Sequence, residues 1–575
     1  MTKFFVALLF LTILVTNNAK AYEVSTEIQK KNILLEVFTG IHCGNCPDGD
    51  RVANNLFLAR AGKLFILDIH SGHYAVPNSG EPDYRIAEGE ALDLEFKAND
   101  YGYPCGMLNR KAVTFAGEPF EQPVILGRSS WTKAARIIAG EDAPVNLWLK
   151  ADFEGSTRKL TVDVEGYYTG AVAASENFLN VVLTQDNIVG FQSGASIQSG
   201  ASIQSEYNHR HMFKASITPL WGDTIRNTAV NTYFTRHYEY IVPESVNNIP
   251  LKAEDIDVVA FVTAGKGDVL NVADAKPSYL NYTKPLNISL SQAKEGIAQR
   301  YAFNFFNIVV KNESHYLINA INFDVNVNNS VQNVSWTGEI PSYQEKEIRL
   351  PIKEYTPLDE NTYSIKAASV NGNAVAAAAL SGSFLKPLET TPTIISEIKT
   401  DIYSNDNHFV IKDRDGNLVK EFGGFTNGLI TTVKDTTKLE AGRIYCFEVS
   451  DDWGDGISNG SYKLRRGDGS LFAQNIDIQT FGFREFFIAS QPDITGILQQ
   501  NLSETRIYVD GRKNIVVSAA EFGGEISVAV YSAAGQCLIS QRFTGTGKPV
   551  SISAAHLPRG VYIVVSGNYR TKIIL

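Results

Sequence analysis

The period of the apolar positions changes along the chain, and the change divides it into an α/β head and a β-rich remainder. Asn32 to Phe38 and Leu64 to Ile69 are short apolar runs of strand length. Between them, Asp50 to Ala61 carries Val52, Ala53, Leu56, Phe57 and Ala59 at helical spacing. Ser129 to Ile138 reads as a closing helix. From Asp142 onward the helical period nearly vanishes. Segments such as Val145 to Lys150, Leu160 to Val164 and Phe178 to Thr184 alternate or run β-branched between Gly, Asn, Asp and Ser, the texture of antiparallel sandwiches. Breaks fall at Gly140–Asp142, near Lys276–Pro285, at Lys386–Pro392 and at Gln491–Glu504. They predict a multidomain chain with an α/β domain over 22–140 and β-sandwich (Ig-like) domains over 141–280 and 281–390. A β-rich domain over 391–490 and a small terminal domain over 500–575 follow. A six-residue duplication, Ser193–Gln198 repeated as Ser199–Gln204, reads as a lengthened loop tip.

The first residues add an address. Lys3, the apolar run from Phe4 to Val15 and the Ala19-Lys20-Ala21 site form a signal peptide over 1–21, cleaved after Ala21. That run is too short for a hydrocarbon core of ~30 Å, and no later stretch reaches 18 apolar residues, so the expected mature chain is exported without a transmembrane helix. With 52 basic against 62 acidic residues the net charge is −10, which excludes broad binding to nucleic-acid phosphates. Five cysteines in 575 residues are too few for a disulfide scaffold.

Two of the five form Cys43-Gly44-Asn45-Cys46-Pro47, following a strand and opening a helix. This order predicts the start of a thioredoxin-like fold, with Cys43 at the helix N-terminus, where the dipole favours a thiolate. His42 would add positive charge when protonated. Pro104, in Tyr103-Pro104-Cys105, is the expected cis-proline facing the pair, with Cys105 beside it. Three chemistries stay open for Cys43 and Cys46: a redox-active pair, a structural disulfide, or a metal site completed by Cys105 and one of His42, His70 or His73. On the redox reading Cys43 is the exposed, acidic thiol and Cys46 its buried partner.

Leu34-Leu35-Glu36-Val37-Phe38-Thr39-Gly40, the Cys pair, Tyr103-Pro104 with Asn109-Arg110, Leu183 to Gly190, and Tyr207 to His211 come in an order that resembles a Bacteroidetes outer-membrane-protein family named for a twenty-eight-kilodalton antigen. The resemblance spans roughly 30–275. It implies outer-membrane and cell-surface association and brings no defined reaction. Ile507-Tyr508-Val509, Ile515 to Val517, Val528 to Gly535, Leu557 to Val564 and Lys572 to Leu575 are similar to the C-terminal sorting domain of type IX secretion cargo. That resemblance implies the type IX secretion machinery as a partner, with Gly535 in a hairpin turn.

Asp451, Asp452 and Asp455 in the loop Asp451-Asp452-Trp453-Gly454-Asp455-Gly456 are the candidate calcium ligands, against the reading of a solvated turn. Calcium is the one cofactor the chain suggests. Asp413 to Asn417 reads as a hairpin turn, and His209 and His211, two apart on a strand, would share a face. No phosphate loop, nucleophile elbow or zinc-protease motif is present. The expected function is an exported surface protein: a thioredoxin-like head with β-sandwiches that display it or bind a surface protein or glycan. The alternatives are a thiol–disulfide oxidoreductase acting on extracytoplasmic proteins and a metal-binding surface protein.

Overall fold

The computed structural model describes residues 22–476 except 116–122, 175, 195–202, 294–304, 353–354 and 357. Beyond these it describes 478, 482–489, 506–510, 513–518, 525–532, 535–544, 550–566 and 569–575. The signal peptide with Ala21, most of the duplicated tip and the 491–504 break lie outside the described residues. The chain forms two compact units, up to Pro492 and from Asp493. It is built mostly of strands in many separate sheets.

The head is made by β1 (Ile33–Thr39), α1 (Cys46–Ala59), β2 (Leu64–His70), α2 (Ala87–Phe96), α3 (Ala98–Tyr101), β3 (Cys105–Leu108), β4 (Leu126–Gly127) and α4 (Trp131–Ala139). β1 and β2 are parallel, whereas β3 is antiparallel to β1 and β4 to β3. The order is β2-β1-β3-β4. Every residue of β1 and β2 is buried, as a parallel sheet covered on both faces requires. α4 buries Trp131, Ala134, Ala135 and Ile138, one stripe at helical spacing, against the α1 side of this sheet.

The next strands are β5 (Val145–Glu154), β6 (Lys159–Tyr168), β7 (Asn177–Gln185), β8 (Ile188–Ser193), β9 (Ile203–His209), β10 (Met212–Ser216), β11 (Asp223–Ile225) and β12 (Tyr233–Ile241). After a short ribbon of β13 (Ser245–Val246) and β14 (Ile249–Pro250) come β15 (Ile256–Thr263), β16 (Val269–Ala275) and β17 (Ser278–Leu280). β12-β6-β5-β17 form one layer. The facing layer, β16-β15-β7-β10, does not stop at the head. Met212 of β10 pairs in parallel with Asp68 of β2, so one nine-stranded sheet runs across the expected 140/141 boundary. β8 and β9 form a two-stranded arm of their own.

Two further sandwiches follow, with cores centred on Phe306, Phe323 and Phe384, and on Phe409, Phe447 and Tyr462. The expected turn at Asp413–Asn417 joins paired strands. In the second unit, sheets of three and four strands enclose Ile515, Val530, Tyr562 and Val564. Gly535, at φ +82°, turns the hairpin between Glu525–Ser532 and Cys537–Thr544. Among the described residues no α-helix follows Ala139, and no helix is long and apolar enough to cross a membrane.

Candidate functional site

The helix begins at Cys46, with Pro47 in its first turn, so Cys43 stands three residues before it rather than at its N-terminus. Cys43 and Cys46 are joined as a disulfide. Cys43 is 2% exposed and Cys46 is fully buried, so the expected open thiolate is instead a covered disulfide. The cover is the β8–β9 arm. Gln192, 1% exposed, donates through Nε2 to the carbonyls of Gly40 and Cys43, each at 3.2 Å. The Ser193 amide donates to the Ile41 carbonyl at 2.6 Å. Gly194 has φ +115°, and a Cβ there would lie 2.3 Å from the Gly44 carbonyl oxygen. Only glycine lets the arm settle this closely on the cysteine turn.

Of the expected supporting residues, Pro104 has the expected cis bond, while His42 and Cys105 take other roles. His42 does not charge the cysteines; its Nε2 is 2.8 Å from Glu81 Oε2 and its ring tilts against Phe191. The Tyr103–Pro104 peptide is cis, and Pro104 packs so close to α1 that a Cβ on Gly49 would be 2.7 Å away. Cys105 is fully buried, and desolvation, with the charge of Asp93, pushes its thiol up to about 12, which leaves it unreactive. The disulfide removes two thiolates from the metal reading, and His73 is committed to Asn99 at 2.6 Å. Among the described residues no group of three or more His, Cys, Asp or Glu is disposed to hold a metal ion.

The structure also gathers ionisable groups beside α1 that the motifs did not single out as a set. Asp50 of α1 and Asp68 of β2 line a half-enclosed cavity of about 270 Å³ together with Tyr207, Asn208 and Arg210. The Tyr207 hydroxyl donates to Asp50 Oδ2 at 2.5 Å, which ties the end of the arm to α1. Burial raises Asp50 to about 6 against the pull of Tyr207 and Arg210. Burial, reinforced by Asp50, holds Asp68 well above the carboxylate range. His70, on the same face of β2, stands edge-on to Tyr84 and His209 at 5.2 and 5.3 Å, and burial keeps both imidazoles neutral. His211 does not share that face. Its φ of +52° turns it out of the strand, towards Phe57 and Asp186.

Asp452 and Asp455 are paired with basic side chains, while Asp451 is bound through Oδ1 and its buried Oδ2 has no hydrogen-bond partner among the described residues. Arg136 of α4 binds Asp455 bidentately at 3.0 and 3.1 Å and also reaches Asp406 at 2.9 Å. Asp452 lies 3.0 Å from His408 Nε2. Asp451 accepts the amides of Trp453 and Asp455, and burial, with the charge of Asp455, pushes it up to about 8 against the pull of Arg136. Trp453 packs with the α1 and α4 core, under the guanidinium of Arg60 at 4.4 Å. This loop docks the third sandwich onto the head.

Asn109 and Arg110 join the head to the strands beyond it. Asn109 Oδ1 accepts the Leu34 amide, and its Nδ2 donates to the carbonyls of Asn32 and Val269. Arg110 forms a fork with Glu36 at 2.7 and 2.8 Å, both side chains at most 1% exposed, among Phe96, Trp221 and Phe261.

Residues 90–279 match the family described as "Outer membrane protein Omp28". The match places the protein among outer-membrane-associated proteins of the cell surface. It takes in Tyr103-Pro104, Asn109-Arg110 and Tyr207–His211 and begins beyond the cysteine pair, so it is shorter than the 30–275 expected. No curated protein matches the chain. Among solved structures, "HBP35 of Porphyromonas gingivalis" is 18% identical, with 62% of this chain and 99% of that one covered and a TM-score of 0.34. A domain of the outer membrane lipoprotein Omp28 from Porphyromonas gingivalis is 19% identical, covering 24% of this chain and 90% of its own, with a TM-score of 0.17.

Proposed function

We propose that this is a surface-display and binding protein of the outer membrane, whose thioredoxin-like head carries a closed, shielded disulfide rather than an open exchange centre. The observation that carries this reading is the burial of Cys43 and Cys46 beneath Gln192 and Ser193. A nucleophilic thiolate must reach its target, and a pair under a docked arm cannot be attacked until the arm lifts. The thioredoxin-like assignment is supported by the β2-β1-β3-β4 order and by α1 following the cysteine turn. The sandwiches over 281–390 and 391–490 each enclose their own core and supply surface for a protein or glycan. The test is exposure of the folded chain to a glutathione buffer, where the pair stays oxidised; a pair reduced as fast as in the unfolded chain contradicts the reading.

The second unit, from Asp493, is read as the type IX sorting domain, which its separate core supports. A chain ending at Pro492 is expected to fold, because each sandwich keeps its own core. In the native host it accumulates in the periplasm. Fractionation that finds this truncation at the surface in normal amounts removes the sorting role.

Thiol–disulfide exchange is the second reading. One observation favours it: the arm is a sheet by itself, so it can lift without unpairing the nine-stranded sheet.

A further inference from the structure

We propose that the cavity beside α1 is a binding site for a primary ammonium group, carried either by a small free amine or by a lysine side chain. The inference goes beyond the display reading and does not depend on the state of the disulfide. Its basis is a set of acceptors without donors. The Asp68 side chain is only 8% exposed and lines the cavity; among the described residues no donor reaches it, the nearest ring nitrogen, His70 Nδ1, being 3.9 Å away. Asp50 receives one hydrogen bond, from Tyr207. Asn208 Oδ1 is buried without a donor, and Asn208 lines the same cavity.

Two cations line the cavity, and Arg210 pulls electrostatically on Asp50, but the hydrogen bonds of both go to other residues. Arg51 is held by Asp48 at 2.8 Å, and Arg210 donates to Asn54 at 3.3 Å. Buried acceptors of this kind call for a charged donor. An ammonium brings three N–H groups and one positive charge, which suits two acidic side chains, a phenol and an amide oxygen. Its charge draws off the proton that burial and Asp50 otherwise hold on Asp68. A divalent metal suits them less, since no third His, Cys, Asp or Glu joins them among the described residues. The volume of about 270 Å³ holds a short alkyl chain, and Val37, Ala53 and Ile66 give that chain an apolar wall.

Titration calorimetry of the full chain at neutral pH tests this with n-butylammonium, with n-butanol as the uncharged probe, and with Nα-acetyl-lysine N-methylamide. Butylammonium is expected to bind saturably at one site and butanol not at all. Asp68→Asn, which keeps the side-chain shape, weakens binding by about tenfold or more, as loss of a charge-assisted hydrogen bond does. In the unsubstituted chain, amide protection on binding localises to α1 and β2, a readout that needs no variant. Equal binding of the lysine derivative assigns the site to a lysine side chain, and its failure beside bound butylammonium assigns it to a free amine. No saturable butylammonium binding, equal binding of butanol, an unweakened Asp68→Asn chain or protection confined to other strands overturns the proposal.

Discussion

Replacing Glu36 by Gln is expected to destabilise the head by about 3–5 kcal/mol, the usual cost of removing one partner from a buried ion pair. The Arg110 side chain is at most 1% exposed, so the substitution leaves a guanidinium among Phe96, Trp221 and Phe261 without its carboxylate. Beyond the one amide oxygen that the Glu36→Gln side chain keeps, its protein acceptor among the described residues is the Lys266 carbonyl at 3.4 Å. The double substitution Glu36→Leu with Arg110→Met is expected to recover most of the loss, because paired apolar replacements of a buried ion pair are often near neutral. Urea unfolding of both variants, followed by hydrogen exchange of the β1 amides, checks the pair. If Glu36→Gln costs less than about 1 kcal/mol, Arg110 is not held as described.

Asp451→Asn is expected to stabilise the third sandwich, and more so as the pH rises. In the folded chain the carboxyl titrates at about 8, raised first by burial and then by Asp455, whereas an unfolded Asp titrates near ~3.9. The folded state therefore binds its proton more tightly. Stability contributed by the neutral carboxyl is present in full below ~3.9 and is lost as pH rises towards 8, at about 1.4 kcal/mol per unit. Asparagine keeps the oxygen that accepts the Trp453 and Asp455 amides and removes the charge, for a gain on the order of a few kcal/mol at pH 8.5 that shrinks towards pH 4. Hydrogen exchange over Ile444–Asp451 at the two pH values measures it. A gain that does not change with pH contradicts the burial argument. Thermal melts in calcium and in chelator test the calcium reading, for an ion here must take Asp455 from Arg136. A calcium shift that Asp451→Asn abolishes assigns the ion to this loop.

The sequence was most legible where packing is local. The runs at Ile33–Thr39 and Leu64–His70, and the stripe Trp131, Ala134, Ala135 and Ile138, follow from period alone. The cysteine turn before a helix was legible, though the helix starts at Cys46, where Pro47 fits its first turn. The sheet that runs from β10 into β2 was not legible, because no local pattern encodes the pairing of Met212 with Asp68. Nor was the cover over Cys43. Gln192 and Ser193 bind the backbone carbonyls of Gly40, Ile41 and Cys43, groups that every residue offers. One signal was present and carried no weight: Glu36 and Asp68 each interrupt an apolar strand run, and a charge there demands a buried partner or a function. The Asp451 loop reads from sequence as a solvated or calcium-binding turn because its partner, Arg136, lies on a helix remote in the chain.

The central claim, that the β8–β9 arm shields the Cys43–Cys46 disulfide, is tested most directly by the rate at which dithiothreitol reduces the folded full chain, followed by alkylation and mass mapping. The folded chain is expected to react far more slowly than the unfolded one. Gln192→Ala, which removes the hydrogen bonds to Gly40 and Cys43 at about 0.5–1.5 kcal/mol each, is expected to speed reduction roughly 5- to 150-fold by easing local opening. Equal rates for the folded, unfolded and Gln192→Ala chains would contradict it.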